Sequence, residues 1–225
     1  QLAIPASIGM FFNTMYNVVD TFYAGLISTQ AISALTLSFM IFFLIIGFGY
    51  GFSSAITALL GNALGKKRYK LASIYAHKGL IFVPLIGLTL SIIGYFFAPS
   101  LFMFLGAKDE YLQISLDYIN PILFGAIFFM FNFSLNSILI ATGDTKTYRN
   151  SLIFGFFANL ALNPLFMYGF LFVPAMGIKG IAFATVLIQI INMFYLFYKV
   201  LQTKLIHFDK LEYFFPNIKV YKQFL

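Results

Sequence analysis

No cysteine occurs anywhere in the chain, which excludes disulfides and thiolate metal sites. Charge is almost as scarce. Asp, Glu, Lys and Arg make up 9% of the residues, where a soluble domain carries about a quarter. There is no aspartate-rich motif to hold magnesium and a diphosphate, as a membrane prenyltransferase would need. The histidines, His77 and His207, both fall beside expected helix ends, and neither has an acidic partner at catalytic or metal-ligand spacing. Asp109 and Glu110 sit together in a loop and read as solvated. Gly47, Gly49 and Gly51 lie within an apolar helix and read as close packing or a flexible point rather than a phosphate loop. These absences argue against an enzyme, and no cofactor is expected.

What the chain has instead is apolar sequence. Hydrophobic residues make up 61% and mean hydropathy is +0.91, so the expected solvent is a lipid bilayer. Residues free of Asp, Glu, Lys and Arg form the blocks 1–19, 21–65, 79–107, 118–143, 150–178 and 180–198. A helix needs about 20 residues to cross the hydrocarbon core. The blocks therefore predict six transmembrane helices, near 2–24, 31–60, 70–97, 114–141, 149–171 and 178–201. Stretches such as "IFFLIIGFGY" lack the apolar–polar alternation of barrel strands. The expected class is an all-α integral membrane protein.

Basic residues orient the helices. Lys66, Lys67, Arg68, Lys70 and Lys78 gather at the turn between helices 2 and 3. Lys146 and Arg149 follow between helices 4 and 5, and Lys199, Lys204, Lys210, Lys219 and Lys222 close the chain. The opposite side has only Lys108 and Lys179. By the positive-inside rule both ends of this segment should be cytoplasmic. The formal charge of +7 is thereby explained by topology, with no basic soluble surface to suggest nucleic acid. The first helix is too long for a signal peptide, with no small-residue cleavage site behind it, and is expected to be retained.

Against this background Asp20 stands out as the sole acidic residue between Gln1 and Gly65. Asn13, Asn17 and Asp20 recur at i, i+4 and i+7, one helical face. A carboxylate inside a span costs a few kcal/mol and is usually turned toward a bundle interior. The bland alternative puts Asp20 near a helix end, reaching the headgroups. Asn159 and Asn163 share a face of helix 5, and Pro164 behind them frees the Leu160 carbonyl from its usual partner. Amide oxygens and freed carbonyls suit a dehydrated monovalent cation. Thr185, Gln189 and Asn192 in helix 6, and Asn132 and Asn136 in helix 4, add further polar groups at membrane depth. Tyr118 lies nearer the start of helix 4. Taken singly, each Asn is better read as an interhelical hydrogen bond.

Several motifs in order make the chain resemble the N-terminal six-helix lobe of a multidrug and toxic compound extrusion (MATE) transporter. They are "PASIGMFFNTMYNVVDTFYAGLIST", "AISALTLS", "GNALGKKRYKLA", "ATGDTKTYRN", "ANLALNPLFMYG" and "MGIKGIAFATV". The resemblance covers nearly the whole chain. It implies a cation-coupled exporter of organic compounds in the cell inner (plasma) membrane, built of twelve helices in two lobes facing a central cavity. Residues 1–201 would form the N-terminal lobe and 202–225 the cytoplasmic linker to a missing C-terminal lobe, with the chain a piece of the full transporter. It also implies an N-lobe cation site, carried here by Asp20, Asn159, Asn163 and Thr185, with Na⁺ or H⁺ as the coupling ion. Tyr118 and Asn136 are similar to residues lining that pocket, and Asn13, Asn17 and Gln189 are further candidates for the substrate pocket. Asn163 departs from the family's pattern, replacing a second Asp, so Asp20 is left as the only N-lobe carboxylate able to balance a cation or bind a proton. Pro5, with Gly9, would let helix 1 bend, and Pro164 would bend helix 5. Two other expectations stay open: a flippase for lipid-linked substrates, which would want Lys or Arg inside the membrane, and a non-transporting membrane scaffold.

Overall fold

Six long helices take up the chain as far as Gln202: α1 Ala3–Ile27, α2 Thr29–Gly65, α3 Tyr69–Phe104, α4 Asp109–Ala141, α5 Lys146–Tyr168 and α6 Ile178–Gln202. A 3₁₀ turn at Leu211–Tyr213 and a short α7 at Ile218–Tyr221 follow. This computed structural model describes residues 3–213, 215 and 218–224. At about 1.5 Å per residue, the 37-residue α2 is roughly 55 Å long, well over the ~30 Å hydrocarbon core.

The six expected helices are present, with ends displaced for physical reasons. α3 was expected to stop near residue 97, ahead of Pro99, yet it runs on to Phe104. Proline removes one donor, and burial of Ala98 and Phe102 holds the helix on both sides of it. α5 stops at Tyr168, earlier than expected, because Gly169 takes a φ of +76°. Among the described residues, α2 to α6 are long and apolar enough to cross a membrane. α1 is not among them, since Asn13, Asn17 and Asp20 dilute its apolar content. It lies against α5, with lesser contact to α2 and α6.

α4 is the hub. It packs on α2, α3 and α6, and apolar residues such as Ile119, Leu123, Met130 and Ile138 are fully enclosed around it. Of the three glycines in "GFGYG", only Gly49 is a packing device. A Cβ there would sit 2.2 Å from the Phe133 ring, whereas Gly47 and Gly51 face open space.

The α4–α5 turn shows how a loop motif works. Gly143 adopts φ +90°, and the Gly143 and Asp144 N–H groups return to the Ile140 and Leu139 carbonyls at 2.9 and 2.8 Å. Only glycine takes that conformation without strain. Asp144 then accepts from the Lys146 and Thr147 N–H groups, each at 3.0 Å, capping α5. Burial opposes ionisation of Asp144, but hydrogen bonds from Thr147 and Lys146 outweigh it and hold the carboxyl below the usual range. Asp144→Ala should therefore cost about 1 kcal/mol, read as a lower melting temperature in detergent at neutral pH. A depressed native pKa gives stability above the unfolded value of about 4 that is lost as pH falls further. The wild-type advantage should accordingly vanish in acid.

The segment after α6 folds back onto α3. The Ser73 hydroxyl donates to the Leu205 carbonyl at 2.7 Å, Tyr75 donates to Gln223 at 2.8 Å, and the Tyr221 ring stacks on Phe82. His77 is fully buried. Its Nδ1 donates to the Ser73 carbonyl at 2.7 Å and its Nε2 accepts from the His207 N–H at 3.1 Å. Both atoms are thus engaged in packing this segment.

Candidate functional site

Asp20 belongs to the interior, not to a helix end at the headgroups, being 2% exposed. Three helices converge on it. Asn159 and Asn163, one turn apart on α5, are fully buried, and Thr185 on α6 is nearly so. The Asn159 and Asn163 amides both donate to Asp20 Oδ1, at 2.8 and 2.9 Å. The Thr185 hydroxyl donates to Oδ2 at 3.3 Å. The two amides also face each other, the closer pair being Asn163 Nδ2 on Asn159 Oδ1 at 3.2 Å. The i, i+4 spacing thus aims two amides at a single carboxylate.

No positive side chain balances that carboxylate. Among the described residues the one salt bridge is Lys179–Asp117, at 3.2 Å, elsewhere in the bundle. Dipoles alone compensate Asp20, and a buried charge so held is favourably neutralised by a proton or a small cation. The group offers only oxygen donors: a carboxylate, two amide oxygens once the amides turn, and a hydroxyl. Such hard ligands fit a monovalent cation or a proton. Among the described residues, no three His, Asp or Glu side chains gather as a metal cluster would require.

One expected ligand is already engaged. Pro164 does leave the Leu160 carbonyl without a helical donor, but the Tyr23 hydroxyl of α1 supplies one at 3.0 Å. That bond ties α1 to α5 and occupies one of the carbonyl's two lone pairs. The side chain of Pro5, the other expected bending point, lies outside the described residues.

A narrow cavity of about 80 Å³ opens beside Asp20. Asn13, Asn17, Tyr118, Thr185 and Gln189 line it. Asn136 does not. It is buried one turn away, and Asn132 takes its place, donating to the Gln189 side chain at 2.8 Å and to the Gln189 carbonyl at 3.0 Å. Asn17 spends its amide on the Asn13 carbonyl, 3.0 Å away. Tyr16, Tyr148, Phe42 and Phe129 complete much of the wall and were not singled out from the sequence. Tyr16 was legible, lying between Asn13 and Asp20 on the polar face. Small-molecule pockets usually hold roughly 300–1,000 Å³, so this one is sized for an ion and a few waters. Among the described residues, Asp20 is the only charged one in its lining.

Comparison with known proteins places this geometry in context. The MatE family model matches residues 5–165. The probable multidrug resistance protein YoeA of Bacillus subtilis is 34% identical over 162 residues, which is 72% of this chain and 35% of that protein. An FAD transporter of Shewanella oneidensis is 27% identical over 185 residues, covering 82% of this chain and 41% of the relative. Among solved structures, a MATE protein in the bent conformation superposes with a TM-score of 0.89 at 27% identity, over 100% of this chain and 49% of its own. A transporter of the MOP superfamily from Pyrococcus furiosus, described as having a binding pocket of reversed polarity, gives 0.88 at 28% identity with the same coverage. The chain thus spans less than half the length of these relatives.

Proposed function

The chain belongs to the MatE family of multidrug efflux transporters, and from that premise we propose that the complete protein is an antiporter coupling Na⁺ or H⁺ entry to export of organic cations. The observation that carries this reading is Asp20, held by three dipoles and, among the described residues, the single charged group in the cavity, with no basic side chain paired to it. Ion and substrate then compete for one negative charge. With Asp20 ionised, the site attracts a cation. Once a proton or Na⁺ neutralises it, the drug is released and α1 is free to repack. The 80 Å³ beside Asp20 is too small for a drug, so the substrate would occupy the wider space between this lobe, residues 1–201, and a second one. Residues 202–225 would lead into that second lobe. The basic residues concentrated at one end of the bundle would put both ends of this segment in the cytoplasm. Each inward charge is worth roughly 2.3 kcal/mol per 100 mV, enough to bias an alternating-access cycle.

An anionic substrate, such as the FAD that gives the Shewanella relative its name, would call for basic lining, and Asp20 has the opposite sign. The test is efflux of a fluorescent organic cation from proteoliposomes holding the full-length protein, under a sodium or a pH gradient imposed separately. One gradient should drive efflux. Folded protein that responds to neither would refute the antiporter.

Asn163 makes a second test. Asn163→Asp adds a carboxylate beside Asp20, and two charges a few ångströms apart hold a cation more strongly. Where the sodium gradient is the one that drives efflux, the sodium concentration giving half-maximal efflux should fall by roughly tenfold. An unchanged sodium dependence would separate Asn163 from ion binding.

A further inference from the structure

Three lysines from distant parts of the chain meet in one cleft. Lys70 lies in the first turn of α3, while Lys204 and Lys210 belong to the segment after α6. The cleft is about 420 Å³ and is floored by Ser73, His207 and Tyr213. Its two walls are pinned together. The Ser73 hydroxyl holds the Leu205 carbonyl, and the His77 ring holds the His207 N–H. The convergence is therefore built into the packing.

Carboxylates do not answer these charges. None of the three lysines forms a salt bridge among the described residues. Asp209 and Glu212, in the same segment, are exposed and do not line the cleft. Lys210 does rest its ammonium 5.5 Å from the Tyr213 ring, which orients it without neutralising it. Topology explains why basic residues lie at this end of the bundle, since the positive-inside rule counts charges near the membrane. It does not require a loop 130 residues downstream to be fastened against α3 so that three ammonium groups share a cavity.

We propose that this cleft binds the phosphate of an anionic phospholipid from the adjacent leaflet. Three ammonium groups suit a phosphate, as a compact multi-oxygen anion. A second, shallower groove abuts the first through Tyr69 and Lys70, and there Lys67 and Arg68 stand beside the apolar Leu71 and Ile74. Charge next to grease is the pattern of a headgroup joined to its acyl chains, and basic pockets beside transmembrane helices hold such lipids. A soluble phosphate would use the lysines and leave Leu71 and Ile74 idle.

The experiment uses the full-length protein in detergent, with bound molecules counted by native mass spectrometry. Short-chain phosphatidylglycerol, phosphatidylcholine and inorganic phosphate are titrated in turn. Phosphatidylglycerol should bind and phosphatidylcholine should not. The triple exchange Lys70→Gln, Lys204→Gln, Lys210→Gln should weaken phosphatidylglycerol by roughly 100-fold. Each single exchange, gentler on folding, should weaken it by roughly fivefold. Lys108→Gln with Lys179→Gln, at the other end of the bundle, should change nothing. Unaltered binding in the single and triple variants, or an equal loss in the control pair, would overturn the site. Inorganic phosphate binding as tightly as phosphatidylglycerol would overturn the lipid assignment. No gradient or transport enters the assay, so its outcome is independent of the antiporter reading.

Discussion

Asp20→Asn should abolish gradient-driven efflux while leaving the protein inserted and folded. Asparagine has nearly the same volume as aspartate, so packing among α1, α5 and α6 survives. Its oxygen can still accept from Asn159 and Asn163, which now donate to Oδ1 at 2.8 and 2.9 Å. What disappears is the charge, the only one in the cavity lining among the described residues. Removing a charge from membrane depth eases insertion, so the variant should melt no lower than wild type. Efflux should fall by at least about 100-fold, as expected when a buried charge–charge interaction of several kcal/mol is lost. Variant protein that melts like wild type and still exports at near its rate would remove Asp20 from the mechanism.

Gly180→Ala should damage the fold and the site together. A Cβ on Gly180 would lie 2.5 Å from both the carbonyl carbon and the oxygen of Phe166, and 2.8 Å from the Met167 nitrogen. These atoms are backbone, so no side chain can swing aside. The start of α6 would have to lift off the end of α5. Gly180 stands five residues before Thr185, and Phe166 stands three after Asn163. The same close approach therefore sets the spacing across which Thr185 and Asn163 share Asp20. Overpacking of this kind costs about 1–3 kcal/mol, and efflux should drop with the melting temperature. Gly47→Ala is the matched control. Nothing lies within 4 Å of its added Cβ, and alanine is the better helix former by up to about 1 kcal/mol. Equal effects from the two exchanges would show that backbone contact at Gly180 is not the cause.

The heart of the site was legible because it depends on spacing within helices. Asn159 and Asn163 at i, i+4 had to share a face, and a lone buried acid had to find polar company. Rotation of the central helix was not legible. Apolar residues surround the middle of α4 on all sides, so its sequence gives no amphipathic stripe to set which face meets the cavity. Asn132 and Asn136 are equivalent by pattern, and only packing on α2, α3 and α6 turns the first inward. Pro164 lacks the N–H that would bond the Leu160 carbonyl one turn back. Capture of that carbonyl by Tyr23 is a contact across 137 residues, which local reading cannot supply. The docking of residues after Gln202 onto α3 was hidden for a related reason. Its acceptors are main-chain carbonyls, such as that of Leu205, which any sequence offers.

One measurement bears most directly on the competition of ion and substrate for the charge of Asp20. Purified full-length protein in weakly buffered detergent is mixed with an organic cation, and the protons or sodium ions released are counted for wild type and Asp20→Asn. Wild type should release about one ion, of a single kind, for each organic cation bound, and the variant none. Undiminished release from the variant would contradict the competition for Asp20 on which the proposed exchange depends.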